Sequence, residues 1–342
     1  MRQEIGEQPE ALARTFEALL PLTGELRALA RDTRQVLFIA RGSSDNAATY
    51  GQYLCSVRGG RLGSLASPSI ATTYRAGVDL RGVLAVAVSQ SGETEEIVET
   101  LQWAAANGAG TVAVTNVAGS TLARTADVAL VTQAGTELAV PATKTYTTQL
   151  AAMAVLAGAL GEGQDGPDEG LELVPGAVAA MLAGAPAAEE LATRLTYVQT
   201  LVVSGRGFAY STALETALKL KEACYVTAVG LSYADLLHGP IAIVDADTPA
   251  LLVAAGDGPV LPGMTALARR IASSGAHVYG IGGDAGFAAV CRAALPGPDL
   301  PEHLAPLALI VPAQLLVEAL ARARGIDPDA PRGLRKVTQT ET

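Results

Sequence analysis

The stretch VLAVAV (residues 83–88) followed by SQSGET (residues 89–94) decides the fold class of this 342-residue chain. The six apolar residues predict a buried strand, and a helical pattern begins near Glu93. A strand, a tight hydroxyl-rich turn and a helix N-terminus build an anion site in that order, because the first N–H groups and the dipole of a helix favour negative charge. Three hydroxyls add donors, and a glycine lets the backbone approach closely. The alternative is an ordinary turn in which a Ser or Thr caps the helix.

The same alternation of apolar runs and helical patterns continues on both sides of this stretch. It predicts an α/β fold with doubly wound parallel sheets flanked by helices. The pattern restarts after a Gly-rich linker at residues 161–170, which indicates a divergent internal duplication. The predicted organisation is an N-terminal helical segment at 1–33, a first domain at 34–165, a second domain at 166–325 and a C-terminal tail at 326–342. Strands are predicted near 35–40, 62–66, 83–88, 111–115, 128–132, 200–204, 226–230, 249–254 and 277–281.

Composition excludes several classes of protein. The net charge of −10 argues against general nucleic-acid binding, which needs a basic face. The three cysteines lack a CxxC spacing and the three histidines lie far apart, so we expect no metal site and no cofactor. No apolar run reaches the roughly 18–20 residues of a membrane span, and the N-terminus lacks a signal peptide, so a cytoplasmic protein is expected. The SQSGET loop carries no Lys or Arg, which suits a monophosphate on a small neutral body.

A second group of polar residues lies in the stretch LETALKLKE (residues 214–222). On a helix, Glu215, Lys219 and Glu222 occupy positions i, i+4 and i+7 and therefore share one face. One interpretation is a solvated stripe with a stabilising Glu–Lys pair. The other is a ligand-facing cluster, since the helix follows a strand and a glycine turn, where α/β proteins bind their ligands.

Two further features, a histidine at a turn and a basic C-terminal stretch, are by themselves weak evidence for a functional site. His238 precedes Gly-Pro and therefore lies at a turn with a restricted backbone, where a histidine is either structural or catalytic. The C-terminal stretch carries Arg332, Arg335 and Lys336, and its composition alone indicates a frayed basic tail.

Taken in order along the chain, these motifs resemble the sugar isomerase (SIS) family, and in particular the isomerase half of glutamine–fructose-6-phosphate amidotransferase. The resemblance covers nearly the whole chain and implies two tandem SIS domains. The motifs that carry it are QEIGEQP (3–9), GSS (42–44), SQSGET (89–94), GTE (135–137), TK (143–144), ALKLKE (217–222), HGP (238–240) and PRGLRK (331–336).

The resemblance implies a role for each candidate site residue. Glu222 matches the base that moves a proton between C1 and C2 of the sugar, supported by Lys219 and Glu215. His238 matches a ring-opening histidine supplied by the neighbouring subunit, which implies a homodimer with the active site at the subunit interface. Lys336 matches a mobile tail lysine that closes over the sugar. The residues expected to bind a sugar 6-phosphate are Gly42, Ser43, Ser44, Ser89, Gln90, Ser91, Thr94, Glu137, Val140 and Ala142.

Three departures from the family pattern shape the expected reaction. Ala142 stands where the family often has Ser, and Ser43 where it often has Thr. The chain begins Met1-Arg2, so we expect no glutaminase domain and a reaction that releases nitrogen. The resulting hypothesis is an amino-sugar-phosphate deaminase and aldose–ketose isomerase that converts glucosamine 6-phosphate to fructose 6-phosphate and ammonia.

Three alternatives remain open. Two are enzymes: a deglycase of fructosyl-amino-acid 6-phosphates, and a galactosamine-6-phosphate-type deaminase/isomerase. The third is a non-catalytic sugar-phosphate-sensing regulator. The joint presence of Glu222, His238 and Lys336 favours an enzyme, because a sensor needs only the phosphate loop.

Overall fold

The computed structural model describes residues 1–161 and 170–336. Most of the predicted linker, the predicted domain boundary at 165–166 and the last six residues of the predicted tail lie outside the described residues. Within them the chain forms two compact units. The first unit comprises Glu10–Glu137, Lys144–Leu171 and Arg335–Thr342, and the second comprises Met1–Pro9, Leu138–Thr143 and Glu172–Leu334.

Strands and helices alternate along both units. The strands are β1 (Gln35–Ile39), β2 (Leu62–Leu65), β3 (Val83–Val88), β4 (Gly110–Thr115), β5 (Val128–Val131), β6 (Thr200–Gly205), β7 (Thr227–Ser232), β8 (Ala250–Ala254), β9 (Val278–Gly282) and β10 (Ala293–Leu295). The helices are α1 (Arg2–Gly6), α2 (Gln8–Leu19), α3 (Thr23–Leu29), α4 (Ser43–Val57), α5 (Ser69–Thr72), α6 (Glu95–Ala106), α7 (Thr121–Thr125), α8 (Lys144–Leu160), α9 (Val174–Leu182), α10 (Ala185–Leu195), α11 (Ala209–Cys224), α12 (Tyr233–Leu237), α13 (Leu261–Ser273), α14 (Ala285–Ala288) and α15 (Pro306–Ala323). Short 3-10 turns cover Leu20–Leu22, Leu171–Leu173 and Pro240–Ile243.

The first unit contains a five-stranded parallel sheet in the order β2-β1-β3-β4-β5. Helix α6 packs on the face that carries Ala85 and Ala87, because these small side chains let the helix approach the sheet. Helices α4 and α8 pack against each other on the other face, where Gly51 of α4 lies close to Phe38 of β1. The strand order changes direction between β1 and β3, so the loops after these two strands leave the same edge at the switch point of the sheet.

The second unit repeats this plan. Its parallel sheet has the order β10-β9-β8-β6-β7, which is the same sequence of crossovers with β6 in the place of β1. Helix α11 follows β6 and contacts β6, β7 and β8, while α15 packs against α9, α10 and α11. The predicted α/β class, with two parallel sheets flanked by helices, is confirmed.

The buried helix α15 was missed by the sequence analysis. Its residues from Pro306 to Ala321 are buried on every side, so no amphipathic period marks it, and a proline, Pro312, lies inside it. It also corrects the statement that no apolar run reaches the length of a membrane span: by length and composition α15 could cross a membrane, although 89% of that segment is buried inside the fold. Burial to this extent is typical of a helix in the core of a folded domain.

Candidate functional site

The anion loop predicted at residues 89–94 lies at the carboxyl end of β3. Ser89 is buried, and its Oγ lies 3.3 Å from Oγ1 of Thr94 and accepts a hydrogen bond from the Gly92 N–H at 3.2 Å. The Ser91 Oγ accepts a hydrogen bond from the Glu93 N–H at 3.2 Å. Ser91 accepts a backbone hydrogen bond, so its own O–H group remains as a donor for an anion. In the Ser89–Thr94 pair one hydroxyl donates to the other, which leaves the O–H group of the accepting hydroxyl as a second donor.

The cap of helix α6 decides between the two interpretations of this loop. The helix begins at Glu95, two residues later than predicted, with Thr94 as its N-cap. The Thr94 side chain makes no capping hydrogen bond to the helix. Its hydroxyl faces Ser89 instead, which argues against an ordinary capped turn and for a cluster of hydroxyls in front of the helix N-terminus.

A glycine holds the loop in this shape. Gly92 has φ of +66°, and a Cβ placed there would lie 2.3 Å from Oγ of Ser120. Its carbonyl accepts the N–H of Leu122 at 2.9 Å. Glu93 points to the start of α7, where hydrogen bonds from the Thr121 hydroxyl and N–H lower the pKa of its carboxyl group. This glutamate of the loop is therefore turned towards Thr121, and its carboxyl group is held in the ionised form.

The loop after β1 adds Gly42, Ser43 and Ser44 at the neighbouring switch-point position. Gly42 is the N-cap of α4, with φ of +60°. The guanidinium of Arg41 already forms an ion pair and is therefore not available to bind an anion. Its Nη2 lies 3.0 Å from Oε1 of the buried Glu96 in the first turn of α6. An anion at this edge would therefore be held by hydroxyls and backbone N–H groups rather than by a guanidinium.

A cavity of about 350 Å³ in the first unit brings Gln90 and Glu137 to one surface. Asn116, which the sequence analysis missed, builds its wall: Nδ2 donates to the Gly135 carbonyl at 2.8 Å and Oδ1 accepts the Ala134 N–H at 2.8 Å. An isolated asparagine after a strand forms no recognisable sequence motif. Its contribution to the cavity wall is therefore visible only in the folded structure.

Lys336 and Glu137 form an ion pair in the first unit. The lysine Nζ donates to Oε2 of Glu137 at 2.6 Å. Thr145 holds the same carboxylate through its N–H at 3.2 Å and its hydroxyl at 2.6 Å. The Glu137 side chain is fully buried and that of Lys336 is 25% exposed. Lys336, the last described residue of the tail, is thus bound to Glu137. Glu137 is itself one of the residues predicted to bind the sugar phosphate.

Helix α11 of the second unit carries the other candidate cluster. Nζ of Lys219 lies 2.5 Å from Oε2 of Glu222 and 3.4 Å from Oε1 of Glu215. Lys219 and Glu215 are buried, whereas the Glu222 side chain is 24% exposed. The interpretation as a solvated stripe is therefore wrong. Of the three, only Glu222 reaches the surface of the unit.

The electrostatics of this cluster favour a charged lysine. Burial alone would lower the pKa of Lys219, but the charges of Glu215 and Glu222, together with its hydrogen bonds to both carboxylates, more than offset burial and raise it. A charged ammonium therefore lies next to the Glu222 carboxylate and holds it in place, and a carboxylate is a group that can accept a proton.

The remaining predicted residues of the second unit do not join a described cluster. His238 is exposed and ends the short helix α12. Val140 and Ala142 are partly buried in the segment between β5 and α8, where the Val140 N–H donates to the Asp329 carbonyl at 3.0 Å. Within residues 1–161 and 170–336, no group of three or more His, Cys, Asp or Glu side chains could hold a metal ion.

Comparison with known proteins places the chain in a family. The SIS domain model matches residues 29–159. The chain is 35% identical over 347 residues to the isomerizing glutamine–fructose-6-phosphate aminotransferase of Pyrococcus horikoshii, an alignment that covers 100% of this chain and 58% of that protein. The chain thus spans less than two thirds of the length of this curated relative.

Two solved structures extend the comparison. The C-terminal domain of glucosamine-fructose-6-phosphate aminotransferase from Francisella tularensis superposes with a TM-score of 0.88 at 28% identity and covers 96% of both chains. Glucosamine-6-phosphate deaminase from Thermotoga maritima gives a TM-score of 0.79 at 23% identity over 99% of both chains, a likeness that shows the fold alone. The chain belongs to the SIS family. Its homologues are the isomerase half of the aminotransferase, and they match the chain over its full length.

Proposed function

We propose that this protein is a sugar-phosphate isomerase in which Glu222 moves a proton between C1 and C2 of an open-chain sugar 6-phosphate. The observation that carries this proposal is the cluster on α11, where a carboxylate that reaches the surface lies 2.5 Å from a buried ammonium. Such a pair fixes the position of the carboxylate, which a general base needs. Membership of the SIS family supports the same class of reaction.

The hydroxyl loop is proposed to hold the phosphate of this substrate. Ser89, Ser91 and Thr94 present O–H groups in front of the N-terminus of α6, a helix of 12 residues. Dianionic phosphate accepts hydrogen bonds strongly, and donors of this kind bind it without a lysine or arginine. Gly42, Ser43 and Ser44, on the adjacent strand end, are proposed to contact the sugar.

The finer proposal is that the substrate is an amino sugar phosphate and that nitrogen is released. Glu222 removes the proton at C2 of open-chain glucosamine 6-phosphate and returns it at C1, which converts the C2 amine into a C2 imine. Water then adds to C2 and ammonia leaves, so glucosamine 6-phosphate and water yield fructose 6-phosphate and ammonia. His238 of a neighbouring subunit is proposed to open the ring, and Lys336 to close over the sugar. The names of the Pyrococcus and Francisella proteins support amino-sugar chemistry.

An assay of the purified protein tests this reaction. Glucosamine 6-phosphate is supplied, and ammonia and fructose 6-phosphate are measured as products in equal amounts. Galactosamine 6-phosphate and a fructosyl-amino-acid 6-phosphate are competing substrates, and preferential turnover of either would replace the proposed substrate. Binding of sugar phosphates without turnover of any would contradict an enzyme and favour a sensor.

A further inference from the structure

The residue that ends the candidate catalytic helix has an unusual backbone. Tyr225 follows α11 with φ of +54° and ψ of +33°, the left-handed region. The N–H groups of Tyr225 and Val226 both reach the carbonyl of Leu220, as in the helix ends that normally require glycine. A bulky aromatic residue is strained here, so its side chain must provide something that glycine cannot.

The side chain of Tyr225 contacts the tail through two different groups. Its hydroxyl accepts a hydrogen bond from the backbone N–H of Arg332 at 2.7 Å. Its ring lies 4.3 Å below the guanidinium carbon of the same arginine, a cation–π contact. One tyrosine therefore fixes both the main chain and the side chain of a single tail residue.

The position of this contact along the chain gives it a consequence. Tyr225 comes three residues after Glu222, and Arg332 comes four residues before Lys336. Four residues of chain span at most about 14 Å, so an anchored Arg332 restricts the volume that Lys336 can sample. A lysine restricted in this way loses less conformational entropy when it engages a substrate.

We propose that Tyr225 is a positioning residue that anchors the C-terminal tail to the end of α11, so that Lys336, which is paired with Glu137, stays within reach of the substrate. The contact with Arg332 is observed within the second unit. Its benefit for turnover rests on the role proposed above for Lys336.

The unusual backbone supplies a sharp test, the substitution Tyr225→Gly. If Tyr225 served only to end the helix, glycine would be equal or better, because it adopts positive φ without strain. If Tyr225 anchors the tail, the glycine variant must lose both contacts with Arg332 and free this part of the tail, even though α11 still ends in the same conformation. Tyr225→Phe keeps the ring under Arg332 and removes only the hydroxyl. Tyr197→Phe, at a tyrosine that is 89% exposed, is the matched control.

Two readouts separate the anchor from the reaction. The first is limited trypsin digestion followed by intact mass, which gives the rate of cleavage after Arg335 and needs no substrate. The second is kcat and KM for glucosamine 6-phosphate, with inhibition by inorganic phosphate as a measure of the phosphate loop. Thermal unfolding is recorded for every variant.

We expect Tyr225→Gly to unfold at the wild-type temperature or above, to lose its tail about tenfold faster and to lose about tenfold in kcat/KM, with unchanged inhibition by phosphate. Tyr225→Phe should fall between wild type and Tyr225→Gly, and Tyr197→Phe should match wild type. A wild-type rate of tail cleavage in Tyr225→Gly would overturn the anchor, whether or not the protein turns over any sugar phosphate. Faster cleavage with unchanged kcat/KM would overturn its role in positioning Lys336.

Discussion

Single hydroxyl groups define the candidate phosphate site, because Arg41 is already paired with Glu96. A phosphate oxygen bonded to a serine or threonine hydroxyl makes a charge-assisted hydrogen bond, worth about 1.5–3 kcal/mol when it is removed. We therefore expect Ser91→Ala and Thr94→Ala each to raise KM for the phosphorylated sugar by roughly tenfold or more. Steady-state kinetics measure this, with Ser273→Ala, an exposed serine in α13, as the control. An unchanged KM in both variants would remove the phosphate from this loop.

Lys219 is the most consequential buried charge of α11. It neutralises Glu215, whose side chain is fully buried, so removing the ammonium leaves a carboxylate buried without its cation. Breaking such a pair costs about 3–5 kcal/mol. We expect Lys219→Met to lower the free energy of unfolding on that scale in urea titrations. Lys221→Met, two positions along the same helix at an exposed lysine, should change it little. Equal losses in the two variants would contradict this assignment.

The raised pKa of Lys219 also fixes the sign of a pH dependence. A cation with a raised pKa in the folded state stabilises the fold fully below its ordinary value of 10.5 and loses that contribution as pH rises through the folded-state pKa. The contribution of the Lys219 charge to wild-type stability should therefore be complete up to pH 10.5 and be lost only in more alkaline solution. Urea titrations of wild type and Lys219→Met at a series of alkaline pH values measure this contribution, and a stability difference that does not shrink above 10.5 would be inconsistent with Lys219 as its source.

At the scale of elements, the turn between β3 and α6 depends on one glycine. A Cβ at Gly92 meets Ser120, which caps α7, and the positive φ adds strain. We expect Gly92→Ala to destabilise the protein by about 1–3 kcal/mol and to raise KM, because the loop must shift. Gly60→Ala is a matched control, because Gly60 has φ of +62° and no atom lies within 4 Å of the added Cβ. This variant therefore has the backbone strain of a positive φ without a steric clash. If both variants behave alike in unfolding and in KM, the close contact with Ser120 is unimportant.

The elements that sequence could predict are those with a strong local signal. Buried apolar runs located nine of the ten strands seen in residues 1–161 and 170–336 within about two residues, because parallel strands covered on both faces are continuously apolar. The missed strand β10 has three residues. The burial of Lys219 could not be predicted either, since the same spacing on an exposed helix would be a solvated stripe. Only packing of α11 against the sheet and α15 decides it.

The parts of the candidate site that sequence could not supply are those held by distant residues. Asn116, Thr145 and Tyr225 carry no motif, and each acts through a partner that is far away in sequence or visible only in the folded loop. The hydroxyl loop was different, because all of its chemistry lies within six consecutive residues.

At the scale of the whole molecule, the two sheets share one order of crossovers and differ in the loops that their strands lead into. After β3 the first unit presents hydroxyls. After β8 the second unit presents Asp257, and the Glu302 carboxylate lies so close to Gly258 that a Cβ there would be 2.1 Å from Oε2. Burial and the charge of Asp257 raise the pKa of Glu302. Two carboxyl groups at this place disfavour a phosphate, so only the loop of the first unit is proposed to bind one.

Assembly gives a further test. If His238 serves the site of a neighbouring subunit, the active form is at least a dimer. Glu222→Gln and His238→Ala homodimers should both be nearly inactive. Mixing them under conditions of subunit exchange should restore up to roughly a quarter of wild-type activity, since half of the dimers are mixed and each has one intact site. Activity assays after mixing, with light scattering for mass, check this, and a fully active monomer would refute it.

The central claim is that Glu222 carries the proton between C1 and C2. The direct measurement is the exchange of the C2 hydrogen of the substrate with solvent deuterium, followed by NMR. Glu222→Gln should lose this exchange together with about a hundred- to ten-thousand-fold in kcat, while its Kd for fructose 6-phosphate stays near normal. Glu190→Gln, on the exposed surface of α10, should exchange like wild type. Deuterium entering C2 at the wild-type rate in Glu222→Gln would contradict the claim.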